Sequence, residues 1–100
     1  MGEGGDVAGF VFLSRALRAR GMNAQIRTEL GAVFLRVWHP RLAGVGVCVG
    51  VRLEPGPEGV LEAWFESGGD LLALCSEWDR ASGEVVKVMW PILAVVAGRS

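Results

Sequence analysis

Residues 22–38, MNAQIRTELGAVFLRVW, carry the pattern on which the fold turns. Over NAQIRTE, Ala24 and Ile26 alternate with Gln25 and Arg27; over AVFLRVW, Val33, Leu35 and Val37 alternate with Phe34, Arg36 and Trp38. Strand side chains point to opposite faces in turn, so a period of two predicts two strands, each with one apolar face. Leu30-Gly31 stands between them as a tight turn, which makes the pair an antiparallel hairpin.

Working towards the C-terminus, HPRLAG, punctuated by His39-Pro40 and Gly44, leads into AGVGVCVGVRL, residues 43–53. As a strand this puts Val45, Val47, Val49 and Val51 on one face and Gly44, Gly46, Cys48 and Gly50 on the other. Glycine inside a strand marks the close approach of a backbone, a large side chain or a ligand. Aromatic rings from neighbouring strands are expected over Gly46 and Gly50, since diagonal cross-strand neighbours lie within their reach. EPGPEG closes that strand, and VLEAWFES follows as a fourth, with Leu61, Ala63 and Phe65 opposite Glu62, Trp64 and Glu66. SGGD, residues 67–70, admits two readings: a Gly-Gly turn into a fifth strand LLALCS, or a cap at Asp70 for a helix LLALCSEWDR. Gly68-Gly69 between two apolar runs favours the hairpin.

On the N-terminal side, Asp6 is placed to cap a helix whose Phe10, Leu13 and Leu17, with Val11 and Ala16 beside them, form one stripe that Gly21 ends. Arg15, Arg18 and Arg20 fall off the stripe or in its last turns, a solvated face where cations also suit the helix C-terminus. After Ser82-Gly83, with Ser82 as a cap, EVVKVMWPILAVV predicts a closing helix kinked near Pro91. The predicted fold is α+β: an N-terminal helix, an antiparallel meander of four or five strands and a C-terminal helix, both helices on one sheet face, in a single domain of residues 1–100. Val33, Leu35, Val37, the four valines, Leu61 and Phe65 should face the helices. Phe34, Trp38, Trp64, Arg36, Arg52, Glu62 and Glu66 should occupy the other face, with the two glutamates pairing the two arginines.

Half of the 100 residues are apolar (51%) and 21% are charged, which supports one buried core and argues against disorder. A net charge of −1 lacks the basic footprint of a nucleic-acid binder. Nine arginines against one lysine, with abundant Gly, Ala and Val, suggest a GC-rich bacterial genome. Cys48 and Cys75, without a CxxC pair, require no disulfide framework and point to a cytoplasmic protein. The acidic start MGEGGDVAGFVFL has the wrong polarity for a signal peptide, so export is not expected. VVKVMWPILAVVAG is interrupted by Lys87 and Pro91 and is shorter than the ~20 residues a bilayer needs, so no membrane span is expected.

No catalytic constellation is legible. His39, Cys48 and Cys75 are not at metal-ligand spacing, and Cys48 inside a strand reads as a small apolar residue rather than a nucleophile served by His39. Glu62 and Glu66 would stand about 13 Å apart at ~3.3 Å per residue, too far for glycoside cleavage. GEGGDVAG and PGPEG lack the strand-before-helix context and the Lys-Ser/Thr of phosphate loops, so no cofactor is predicted. Trp78, between Glu77 and Asp79, should have a partly exposed ring.

The closing helix carries the strongest functional signal. Val85, Val86, Val88, Met89, Trp90, Ile92, Leu93, Val95 and Val96 leave Lys87 as the lone charge after Glu84, whereas a helix on one sheet face needs only one apolar stripe. A homodimer or a complex with another chain is therefore expected. Met89, Trp90 and Leu93 would cross the boundary, joined by Phe34, Trp38 and Trp64 around Gly46 and Gly50 on the open sheet face. Alternatively, Pro91 folds the segment back so that both halves pack on its own sheet. The function this implies is a non-enzymatic protein-interaction module; the alternative is a small-molecule-binding protein or small enzyme with an apolar pocket between sheet and helices.

Over residues 13–97 the order of elements and the segment LRARGMNAQIRTELGAVFLRVWHP resemble small uncharacterised cytoplasmic proteins of actinobacteria, which begin with a helix ending in L-R-A-R-G and continue into a hairpin. Ala63-Trp64-Phe65 and Ser67-Gly68-Gly69-Asp70 stand where those proteins have a tryptophan-rich strand and a Gly-Glu-Pro turn. The architecture is also similar to the YbjN and type III secretion chaperone-like group. That resemblance implies a partner-binding role, chaperone-like or as an accessory subunit, and carries over no catalytic residue.

Overall fold

The computed structural model describes residues 2–98, with side chains from residue 7 onward. The chain runs α1 (Gly2–Ala19), β1 (Asn23–Glu29), β2 (Ala32–Trp38), β3 (Gly46–Pro55), β4 (Leu61–Ser67), β5 (Asp70–Leu74), α2 (Trp78–Val88) and α3 (Trp90–Ala97). The five strands form one antiparallel meander in the order β1-β2-β3-β4-β5.

Turn chemistry sets this connectivity. Glu29 pairs with Ala32 across Leu30 and Gly31, whose φ values of 52° and 80° give the doubly left-handed turn that matches strand twist. Gly68-Gly69, at 60° and 91°, does the same between Ser67 and Asp70, which makes Asp70–Leu74 a fifth strand and not a helix. At the end of α1, the Gly21 N–H donates to the Arg18 carbonyl and the Met22 N–H to that of Leu17, both at 3.0 Å. This closing motif reverses the chain directly into β1, and Met22 and Leu17 both join the core.

The core lies between the helices and one sheet face. The predicted stripe of α1, Phe10, Leu13 and Leu17, is fully buried, as are Leu35, Val37, Val49 and Phe65 from the sheet. α1 packs on β1 and β2 and reaches β4 through Phe10, whose ring centroid is 6.0 Å from that of Phe65. α2 packs on β5 and alongside α1, contributing Ala81 and Val85. A register shift opposite Phe65 and Glu66 leaves Leu72 as an extra residue in β5, so Leu72 and Ala73 are both buried. Burial of each large apolar side chain stabilises the fold by about 1.5–3 kcal/mol.

Several local expectations are corrected. β3 begins at Gly46, so Val45 lies outside it and is exposed; its N–H donates to the Leu42 carbonyl in the turns after His39. Leu61 opens β4 beyond the reach of the helices and is 61% exposed. α1 extends to Gly2, ahead of Asp6, whose side chain lies outside the described residues. α2 begins at Trp78 and runs through Ser82-Gly83. Ser82 is no cap: it is buried inside the helix, where its Oγ donates to the Asp79 carbonyl at 2.6 Å and accepts from Arg20 Nε at 2.7 Å. Ala81 and Ser82 are buried where α2 packs alongside α1, and a Cβ at Gly83 would meet only the end of the Arg20 side chain, at 3.5 Å. The kink expected near Pro91 is a break at Met89 into two helices, with Pro91 in the first turn of α3, where its missing N–H leaves no intrahelical bond unmade.

Candidate functional site

The two surfaces expected to meet a partner both bear apolar groups that the fold leaves at least partly uncovered. The first is the sheet face without helices. Across it, Trp38 stands opposite Gly46, Arg36 opposite Cys48, Gly50 opposite Glu66, and Trp64 between Arg52 and Leu74. Phe34, Arg36, Trp38, Trp64 and Glu66 are half-buried, while Cys48 is exposed.

Backbone, Trp38 and Arg36 crowd Gly46, whereas at Gly50 the Glu66 carboxylate takes the place expected of an aromatic ring. A Cβ at Gly46 would run into the Val37 carbonyl oxygen and stand 3.2 Å from Trp38 Cβ and 3.3 Å from an Arg36 guanidinium nitrogen. A Cβ at Gly50 would stand 3.2 Å from Glu66 Oε1. The ring of Trp38 instead meets Arg36, whose guanidinium carbon is 5.6 Å from the ring centroid. The expected pairing of Arg36 and Arg52 with Glu62 and Glu66 is replaced by shorter-range contacts. Arg36 donates to the Ala43 carbonyl at 3.1 Å, Arg52 Nε pairs with Glu54 Oε2 at 2.6 Å, and Glu66 Oε2 accepts the Gly69 N–H at 3.1 Å. Residues two apart on one strand share a face, so Glu54 reaches Arg52 without crossing to the next strand.

The second surface is α3 and its junction with α2. Met89, expected at a boundary, is fully buried in the chain's own core because the Val85–Met89–Leu93 hydrogen-bond ladder carries it round to the sheet side. Leu93 packs at the core margin and Val96 is 7% exposed. Trp90 (67%) and Val95 (49%) face solvent with Pro91 and Ala94, and Val88 continues this apolar surface onto α2. α3 carries no charged residue. The structure therefore divides the predicted partner residues: Trp90 is free, Leu93 is half committed to the fold, and Met89 is withdrawn.

Sequence reasoning missed a third apolar group. β3 and β4 run past the helical layer, and Leu53, Val60 and Leu61 stand more than half exposed near their turn. The signal was present in strand length, since the ten residues of β3 outreach the seven of β2 and β4. Trp78, by contrast, behaves as expected: it is 41% exposed and stacks on Phe12 of α1 at 5.8 Å.

Among the described residues, no three His, Cys, Asp or Glu side chains gather where they could hold a metal ion. His39 Nδ1 accepts the Arg41 N–H at 3.1 Å in the turn after β2, and Cys48 stands opposite Arg36. Phe10, Leu13, Leu17, Leu35, Phe65 and Met89 fill the interlayer space. Two surface concavities lie elsewhere, one between α1 and β1 and one at the β3–β4 turn. No helix of the described chain is long and apolar enough to cross a membrane. No known family, curated protein or solved structure matches the chain.

Proposed function

We propose that this chain is a non-enzymatic protein-interaction module, chaperone-like or an accessory subunit, that associates through apolar and aromatic surface and pairs with a second copy of itself. The observation that carries this is α3, an eight-residue helix without a charged side chain whose Trp90 and Val95 are 67% and 49% exposed. An amphipathic helix turns charge to water, as α2 does with Asp79, Arg80, Glu84 and Lys87; α3 turns tryptophan and valine. Tryptophan is a favoured anchor at interface centres, and contiguous exposed apolar surface marks interaction sites. The filled interlayer space weighs against the small-molecule alternative, which needs a cavity there.

Light scattering at micromolar concentration tests the proposal. The wild-type chain is expected at twice its monomer mass, and Trp90→Glu at the monomer mass with unchanged circular dichroism. A wild-type monomer, or a mass unaffected by Trp90→Glu, overturns it.

A further inference from the structure

The meander leaves β1 as an edge strand, and its backbone polarity follows from the hairpin. In a two-residue hairpin the closing pair, Glu29 and Ala32, exchanges hydrogen bonds, so Asn23, Gln25, Arg27 and Glu29 turn their N–H and C=O groups to β2. Ala24, Ile26 and Thr28 turn theirs to the free edge. One side-chain contact agrees with this: the Ala24 carbonyl accepts from the Arg18 guanidinium at 2.8 Å. Ile26 and Thr28 are exposed, and their outward groups have no partner among the described residues.

That edge borders a groove of about 350 Å³ between α1 and β1, with Val11 and Ile26 as its apolar part and Ser14, Arg15 and Arg18 along the helix side. Arg27 flanks the same edge on the opposite sheet face, because it alternates with Ile26. None of Arg15, Arg18 and Arg27 forms an ion pair among the described residues, whereas Arg52, Arg80 and Lys87 do. An unpaired strand edge, an apolar floor and arginines on both sides of it thus coincide in one place.

From this we infer that β1 and α1 form a docking groove for an extended acidic segment of another protein, which adds as a sixth strand to β1. Its backbone pairs with the outward groups of Ile26 and Thr28, and the Arg18 bond to Ala24 ends the ladder on that side. The residue opposite Ile26 shares the helix-side face and is apolar, packing on Ile26 and Val11. Its neighbours alternate between the Arg27 side and the Arg15 and Arg18 side, where carboxylates are favoured. A second copy is the poorer occupant. Two-fold pairing of β1 with itself places both α1 helices on one sheet face and sets Arg15 and Arg18 of each against those of the other, and like charges repel. The groove is distinct from α3, so it does not depend on the self-association proposed above.

An NMR titration of the full chain with an N-acetylated heptapeptide, a central valine between two triplets of glutamate, tests the inference. The peptide is expected to shift the Ile26 and Thr28 amides and to slow their hydrogen exchange about tenfold or more at saturation. The same peptide N-methylated at valine, or with lysine for glutamate, should leave those amides unmoved at equal concentration. Arg15→Glu should weaken the glutamate peptide about tenfold and admit the lysine peptide. Ile26→Pro removes an outward N–H that no ladder bond uses, and should abolish binding; if that variant misfolds, the charge reversal at Arg15 still decides. Trp90→Glu should bind the peptide as the wild type does, which separates failure here from failure of the α3 interface. Absence of shifts at millimolar peptide, shifts confined to other surfaces, equal binding of the N-methylated peptide, or peptide-free protection of Ile26 and Thr28 that rises with protein concentration each overturn it, the last in favour of a second copy.

Discussion

α2 and α3 are joined through Met89 and share a wealth of valine, yet they stand in opposite relation to the rest of the molecule. α2 buries Ala81, Ser82 and Val85 and turns charged side chains outward, with Lys87 and Glu84 paired at 3.1 Å. α3 buries Val96 and turns Trp90, Pro91, Ala94 and Val95 outward. Apolar content therefore does not measure burial. What differs is the neighbour: α2 lies against β5 and α1, whereas α3 follows where that layer ends. The sheet repeats the lesson, because inner-face positions are buried beneath the helices at Val49 and Phe65 and bare beyond them at Leu53 and Leu61.

The sharpest way to break this comparison is to truncate two adjacent side chains on its two sides. Met89→Ala should cost about 2–5 kcal/mol through lost burial and a residual cavity. Trp90→Ala should change monomer stability by no more than about 0.5 kcal/mol, as expected of a side chain not packed in the core. Urea unfolding of both variants, at concentrations too low for association, measures the contrast; equal losses would mean that α3 is as firmly docked as α2.

The two glycines of the open sheet face provide a second contrast. Gly46→Val drives a Cβ into the Val37 backbone oxygen, which cannot yield, and should cost about 1–3 kcal/mol. Gly50→Val meets only the end of the Glu66 side chain, which can rotate away. Valine's strand preference should then hold the net change within about 0.5 kcal/mol. Thermal unfolding distinguishes them, and equal destabilisation would restore a close-packed cover over both positions.

On α2 itself the effects are smaller. Ser82→Ala removes the hydroxyl shared by Arg20 and the Asp79 carbonyl and should cost about 1 kcal/mol. Arg20→Ala should account for part of that loss, and the double variant should cost less than the two single losses added together. Gly83→Ala should stabilise the chain by about 0.5–1 kcal/mol, since a Cβ there meets Arg20 at an ordinary 3.5 Å and glycine is a poor interior helix residue. A loss on Gly83→Ala would mean that α1 and α2 approach more closely than this spacing allows.

Local pattern was sufficient for the first helix, the strands and their connectivity. The period of two over residues 23–38, the turn at Leu30-Gly31, the Gly-Gly turn before β5 and the Phe10–Leu13–Leu17 stripe each encode structure within a few residues, because backbone conformation and side-chain direction are local properties. Trp90 also declared itself, as a large ring on a helix with no polar face. What escaped was everything that depends on where one element ends relative to another. Ser82-Gly83 looks like punctuation until Ser82 is seen buried inside α2 and bonded to Arg20. Met89 and Trp90 are neighbours of similar hydropathic character, and only the position of the sheet beneath the α2–α3 junction sends one inward and the other to solvent. Likewise, the glycines of β3 announce a close approach, but which atoms approach depends on the register of β2 and β4, and long-range register is set by packing. The edge of β1, with its outward backbone groups and unpaired arginines, exists only once the meander has left that strand without a neighbour.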